Sequence, residues 1–401
     1  MKKNVLFIMN KLVCGGAEKS LISLLEEIDY SRYNVDLFLF KHEGMFLRKL
    51  PEEVNLLPEP KNYKFFDMPV KKSMIKLIKD KNVKGAYNRC MLGFLAKTEK
   101  NGAAIEQRFW KYLSKSIENL EKEYDAAIGF QEKNPIYFCI EKVKAKKKIG
   151  WIHTDYEKLG IDSKREELFF EKLDYLVAVS DELVRVLTRN FPDLHRKIIC
   201  VKNILSSKIV KNLALEKVNF IEKSDNSVSL ISVGRLAKEK GLDITLEALE
   251  ILINRGHNVS WYLIGEGNMR SLLEKNIEEK KLESRVKLLG LKENPYPYIQ
   301  QADIFIQTSR YEGQSIAIEE AKILHKPIVI TNFATAKNHI TNRKNGIIAE
   351  MNPLAVANAV ESFIIEEELK QRVTRNLEKE DFGTEDEIQK LDELIGRFLF
   401  D

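Results

Sequence analysis

At 401 residues, 44% apolar and 31% charged, the chain is globular rather than disordered, and its length suits two cores of about 200 residues each. No run approaches the roughly 18 consecutive apolar residues of a membrane-spanning helix, and four dispersed cysteines (Cys14, Cys90, Cys139, Cys200) form no C-x-x-C pair, which argues against a zinc site or a disulfide framework and fits a reducing cytosol. The formal net charge of +5 is modest but uneven: residues 61–100 hold eleven Lys/Arg against three acids, a local +8, so the remainder sums to −3.

In chain order, Met1-Lys2-Lys3 and the apolar run 5–9 superficially imitate a leader. Asn10 and Lys11 stop the run and no small-residue cleavage site follows, so it reads as a buried first strand. Further short β-rich runs lie at 35–40, 126–130, 149–152, 176–179 and 198–201, and Leu21, Leu24, Leu25 and Ile28 recur at helical spacing between the first two strands. The polar stretch 206–226 breaks the pattern and is the candidate linker. A second series follows, with strands at 228–233, 259–264, 286–289, 304–307 and 327–331 and helices at 243–254, 269–280 and about 316–324. Such β-α-β alternation predicts parallel sheets covered by helices on both faces, with ligands at the strand C-termini. The expected domains are 1–205 and 206–384, with a last helix at about 385–401, marked by Ile388, Leu391, Ile395 and Phe398, packing back on the first.

Five loops at strand ends carry candidate chemistry. Gly15-Gly16, in Val13-Cys14-Gly15-Gly16-Ala17-Glu18, allows close approach to a ligand or serves a plain turn. His153 and Asp155 follow the strand at 149–152; a lone histidine is more often structural, but a strand C-terminus favours function. Gly234-Arg235 and Lys238-Glu239-Lys240-Gly241 place two cations five residues apart beside a helix start, which suits a diphosphate and also describes an ordinary surface loop. Gly265-Glu266-Gly267 is either a close-approach loop or a strand-to-helix turn; it is not a G-x-G-x-x-G fingerprint. In Ser309-Arg310-Tyr311-Glu312-Gly313-Gln314-Ser315, Glu312 follows a strand and Glu320 falls two helical turns on, so a carboxylate there can accept sugar hydroxyls while residues 313–316 offer backbone N–H groups. Glu319 reads as an acid complementing the helix dipole.

In this order the motifs resemble the family 4 retaining glycosyltransferases, the glycosyl transferases group 1 of GT-B fold, many of which build bacterial cell-surface polysaccharides and glycoconjugates. The resemblance runs from about 227 to 352, is thinner in the first half, and is absent from 61–119. It implies two Rossmann-like doubly wound domains facing each other across a cleft. It also implies a retaining hexosyltransferase-type activity that moves a sugar from a nucleotide-diphosphate sugar, with a UDP-sugar expected, to a saccharide, lipid-linked or protein-linked acceptor. Carried over by position, Arg235 and Lys240 hold the diphosphate and Glu320 the ribose. Glu312, with Gly313, Gln314, Ser315 and Ile316, meets the sugar and distal phosphate, and Leu289 borders the base. Gly234, Gly265 and Gly267 line the donor loops, His153 stands near the reacting sugar, and Gly15-Gly16 approach the phosphates. Many relatives have Phe-Gly where this chain has Gln314-Ser315. No cofactor or metal is expected; the sequence has no Asp-x-Asp pair, and the two cations replace one.

A nucleotide-sugar epimerase shares this architecture and is the alternative. A dehydrogenase lacks its fingerprint, and a nucleic-acid binder leaves Glu312 and Glu320 unexplained. The basic segment, in which Lys71, Lys72, Lys76 and Lys79 interleave with Met74, Ile75, Leu77 and Ile78, is either an anionic-membrane contact or a solvated helix face. The expected location is cytoplasmic, peripheral at the inner membrane face.

Overall fold

The computed structural model describes residues 2–13, 15–154, 156–218, 220 and 227–396. The chain divides into two compact units, Met1–Ile204 with Glu385–Asp401, and Leu205–Thr384. In the first, β1 (Lys3–Met9), β2 (Tyr33–Leu39), β3 (Asn55–Leu56), β4 (Glu123–Gly129), β5 (Lys144–Ile152), β6 (Tyr175–Ala178) and β7 (Ile198–Cys200) form one parallel sheet in the order β3-β2-β1-β4-β5-β6-β7. In the second, β8 (Val228–Val233), β9 (Val259–Ile264), β10 (Val286–Gly290), β11 (Ile304–Gln307), β12 (Ile328–Thr331) and β13 (Ile347–Ala349) run parallel in the order β10-β9-β8-β11-β12-β13.

The central parts of the strands are mostly apolar because helices cover both faces. Val5, Phe7 and Met9 enter one core while Leu6 and Ile8 enter another on the opposite face, the period-two alternation of a strand. The second sheet does the same, with Leu230, Trp261 and Leu263 on one side and Ile231, Tyr262 and Ile264 on the other. Both strand orders reverse once, at β1/β4 and at β8/β11. The chain leaves those neighbouring strand ends in opposite directions and opens a crevice at each, where ligands of such sheets bind.

The structure departs from the sequence expectation in three places. β3 and β13 are sheet edges of two and three residues, too short for periodicity to mark. The stretch 206–226 is not a bare linker: the helix Ser207–Leu213 lies in it, and Val210 and Ala214 are buried in the second unit's core, while Asn219 and 221–226 lie outside the described residues. The weakly read segment after β3 is helical, with Lys64–Asp67, Val70–Lys79, Val83–Thr98 and Gly102–Leu113 in succession.

The helix Glu387–Gly396 belongs to the first unit. Leu391, Leu394 and Ile395 are buried in the core formed by β1, β2, β4 and β5; Phe398 lies outside the described residues. Polar contacts fix its position: Lys147 Nζ donates to the Leu394 carbonyl at 3.0 Å and Tyr33 Oη to Asp392 Oδ1 at 2.8 Å. The lysine reaches the carbonyl end of the helix, where a cation is favoured. Leu391→Ala should therefore cost about 3 kcal/mol, as for other buried leucines, read as a lower urea midpoint; a loss under about 1 kcal/mol would show that this helix is not part of the core.

Candidate functional site

The best-built site lies at the β8/β11 reversal of the second unit. The loop leaving β8 and the loop leaving β11 are joined by several bonds. The Arg310 N–H donates to the Glu239 carbonyl at 2.7 Å, Arg310 pairs with both Asp243 oxygens at 2.9 and 2.6 Å, and Thr308 Oγ1 donates to the Gly241 carbonyl at 2.8 Å. Gly241 sits at φ +59°, and a Cβ there would collide with the Thr308 carbonyl, so glycine is required for this approach. Gly265, at φ +149°, is required in the same way, because a Cβ would sit on the Gly234 carbonyl oxygen. Gly267 faces the Leu236 backbone. The Gly265–Gly267 glycines are thus required by packing of one loop on the next, as the strand-to-helix turn among the two sequence readings implies.

This scaffold brings Lys240 to Glu312. Lys240 Nζ lies 2.6 Å from Glu312 Oε1, both side chains largely buried. Ser309 Oγ and Gln307 Nε2 donate to the same oxygen at 2.6 and 2.8 Å. All three donors use Oε1; among the described residues none bonds Oε2. Arg235 and Lys240 line one concavity with Ser232, Gly234, Gln307 and Thr308. The Arg235 side chain is 68% exposed and pairs with Glu239 at 2.7 Å. An exposed pair of this kind contributes about 0–1 kcal/mol, so Arg235 loses little by turning to an anion.

The segment after Glu312 differs from the sequence reading. Ser315 is buried; its hydroxyl donates to Gln307 Oε1 at 3.0 Å and its N–H points at His339 Nε2 at 3.5 Å. The Ser315 amide is therefore engaged within the protein, a correction to the expectation of free N–H groups across 313–316. The serine standing where many relatives have glycine turns its hydroxyl inward, where it orients the Gln307 amide that holds Glu312. Gly313 and Gln314 are half-buried, and Ile316 begins the helix Ile316–Ile323.

Glu319 is no solvated dipole partner. It pairs with His339 Nδ1 at 2.6 Å and Lys322 Nζ at 2.7 Å. Burial pushes its carboxyl up, but the His339 hydrogen bond and the Lys322 charge outweigh burial and leave it below the ordinary carboxylate range. Glu320 is buried beneath Tyr296, whose hydroxyl lies 3.1 Å from Oε1. Leu289 packs on the core at the end of β10, beside Gly290.

In the first unit, Gly15 precedes the helix Gly16–Glu27 at the end of β1, with the Glu18 carboxylate filling the space beside it; Cys14 and Asp155 lie outside the described residues. His153 follows β5. Its N–H and that of Thr154 both donate to Glu132 Oε1, at 2.6 and 2.5 Å, so a buried carboxylate after β4 fixes the histidine loop. Burial pushes the imidazole pKa below its ordinary value, against Glu132, the Phe130 backbone and the nearby Asn203, which makes His153 neutral at pH 7. Sequence reasoning missed Glu132, Gln307, Ser309, Tyr296 and His339. Ser309 alone lay inside a recognised motif; the others act across gaps of up to 24 residues that no local spacing signals.

Residues 215–380 match the family model of glycosyl transferases group 1. Among curated proteins, the poly(ribitol-phosphate) alpha-N-acetylglucosaminyltransferase of Staphylococcus aureus is 25% identical over 247 residues, covering 59% of this chain and 48% of that protein. The alpha-D-kanosaminyltransferase of Streptomyces kanamyceticus is 29% identical over 155 residues, covering 38% and 40%. The chain thus spans less than half the length of these relatives. Among solved structures, Anabaena Alr3699/HepE in complex with UDP and glucose matches with a TM-score of 0.68 at 15% identity, covering 99% of this chain and 100% of that one. TarM matches with a TM-score of 0.66 at 14% identity, covering 99% of each. These likenesses establish the fold: two Rossmann-like parallel α/β domains of the GT-B kind.

The lowered Glu319 pKa gives a signed pH dependence. Its folded pKa lies below the unfolded one, so the stability it adds is present above about pH 4.3 and is lost as pH falls further. Glu319→Gln should flatten that part of the acid limb, measured as a smaller fall in Tm from about pH 5 to about pH 3; an unchanged limb would mean that the pair contributes nothing.

Proposed function

We propose that the chain is a glycosyltransferase that moves a sugar from a nucleotide-diphosphate sugar, with a UDP-sugar as the expected donor, to a saccharide, lipid-linked or protein-linked acceptor. The observation that carries this reading is the Lys240–Glu312 contact at the β8/β11 reversal, beside Arg235 and inside the stretch that matches glycosyl transferases group 1. A cation pair suits a diphosphate and an adjacent half-satisfied carboxylate suits a sugar hydroxyl; an epimerase would share the first feature, but the family match does not favour it.

In the proposed reaction the bond from the anomeric carbon to the distal phosphate oxygen breaks, and the bonding electrons leave with the nucleoside diphosphate. Arg235 and Lys240 take up the charge that builds there, the role that removes about a hundredfold to a thousandfold in rate when one such donor is lost. The sugar passes through an oxocarbenium-like state oriented by Glu312 Oε2, and Glu320 holds the ribose. The acceptor hydroxyl attacks from the face the diphosphate leaves and passes its proton to the departing phosphate, so configuration is retained and no metal is needed. A neutral His153 is available as a hydrogen-bonding group rather than as a cation. The chain works in the cytoplasm, peripheral to an anionic membrane surface that residues 61–100 contact.

A thermal-shift series with UDP-, GDP- and ADP-sugars tests this. At a hundredfold excess over Kd, one nucleotide class should stabilise the protein by about 2.7 kcal/mol, roughly 5 °C or more in Tm. Arg235→Ala and Lys240→Ala should each largely abolish the shift; equal shifts in all three proteins would remove these cations from the site.

A further inference from the structure

The helices Val70–Lys79 and Val83–Thr98 form an antiparallel hairpin: Val70 lies against Gly93, Met74 Sδ is 3.8 Å from Cys90 Sγ, and Leu77 shares a buried cluster with Ala86. Its inner side is well satisfied. Ser73 Oγ donates to the Phe65 carbonyl at 2.6 Å, and Arg89 reaches the Phe65 and Met68 carbonyls at 3.0 and 2.6 Å. Its outer side shows no such polar bond among the described residues; Tyr87 meets the Tyr112 ring edge-on at 6.2 Å and still stays exposed. Val83, Tyr87, Cys90 and Phe94 recur at i, i+4, i+7 and i+11, the spacing of a core-facing stripe, yet all four are exposed, Val83 at 80%. On the first helix Ile75 and Ile78 are exposed as well, at 69% and 65%. Six of the fourteen large exposed apolar residues among those described fall within residues 70–94, so this is a patch and not the scattered exposure any surface shows.

The rim decides what covers it. Lys71, Lys72, Lys76, Lys79, Lys84 and Lys97 are all exposed, and among the described residues none forms an ion pair. A second copy of the chain would bring two such lysine sets together and pay their repulsion. A neutral apolar partner would leave them unmatched. An anionic bilayer satisfies both parts at once: aliphatic and aromatic side chains enter the headgroup boundary while lysines meet phosphates. No described helix is long and apolar enough to cross a membrane, so the mode is lying on the surface, not spanning it.

We infer that the outer face of this hairpin docks on an anionic lipid surface, with Ile75, Ile78, Val83, Tyr87 and Phe94 inserted and the lysine rim on the headgroups. This deepens the proposed function by naming the residues of its membrane contact and adding insertion to charge attraction. Vesicle co-sedimentation of the full chain tests it, using phosphatidylglycerol/phosphatidylcholine (1:1) and pure phosphatidylcholine vesicles. The expected result is binding to the anionic vesicles only, weakened at high salt, about 25-fold lower for Lys72→Ser/Lys76→Ser at roughly fivefold per lysine, and at least fivefold lower for Ile75→Ser/Phe94→Ser. All four side chains are exposed, so both variants should keep the wild-type Tm.

The inference is overturned by no binding to anionic vesicles, by wild-type binding of Ile75→Ser/Phe94→Ser, or by a dimer in light scattering that this variant dissolves. Retention of the wild-type chain by an acidic polypeptide but not by vesicles would assign the face to a protein partner and overturn it too. Nucleotide-sugar binding, followed separately by thermal shift on the same proteins, stands or falls without regard to vesicle binding, so failure of one reading is not mistaken for failure of the other.

Discussion

The second unit depends on one constraint: two loops that leave β8 and β11 in opposite directions must still touch. Nothing in the sheet itself requires it. It is achieved by Gly241, whose left-handed backbone lies against the Thr308 carbonyl, and by Arg310, which binds Asp243 and the Lys238 carbonyl at once. The consequence is chemical. Lys240 and Glu312 lie 72 positions apart in sequence and 2.6 Å apart in space. Three donors on one carboxylate oxygen hold the group in a single orientation, which is the kind of preorganisation a binding site needs.

The sheets were legible because a strand buried on both faces is dominated by apolar residues: β1 is apolar from Val5 to Met9, and β8 and β9 interrupt their apolar runs only with serine. The edge strands β3 and β13 were not, since two or three residues carry no period. The glycines of the 234–241 and 265–267 loops were seen, but their cause was only half read: Gly265 and Gly267 serve the neighbouring loop's backbone. Glu319 shows the limit most plainly. At a helix start an acid is ordinarily a dipole partner, and only the fold reveals His339, twenty residues on, as its hydrogen-bond partner beside Lys322. Likewise Ser315 appeared as an awkward substitute for glycine, and Gln307 as an ordinary strand end, until the structure put one hydroxyl on the other's amide.

The hairpin 70–98 teaches the converse. Its second helix carries the apolar stripe of a core-facing element, and from sequence such a stripe is assigned inward. The structure turns it outward because Ala86, Asn88 and Arg89 supply the packed side instead. Of the cations that make 61–100 basic in a chain whose remainder is net negative, six lysines border this exposed stripe while Arg89 turns inward.

The central claim is that Arg235 and Lys240 hold a nucleoside diphosphate while Glu312 meets the sugar. Titration calorimetry with UDP, UMP and uridine tests it directly. If the cations hold the diphosphate, UDP should bind more tightly than uridine by about 3 kcal/mol, roughly a hundredfold, since charge-assisted hydrogen bonds contribute about 1.5–3 kcal/mol each. Lys240→Ala should remove most of that difference while leaving uridine unaffected. UDP and uridine binding alike, or a UDP preference that survives Lys240→Ala together with Arg235→Ala, would contradict the account.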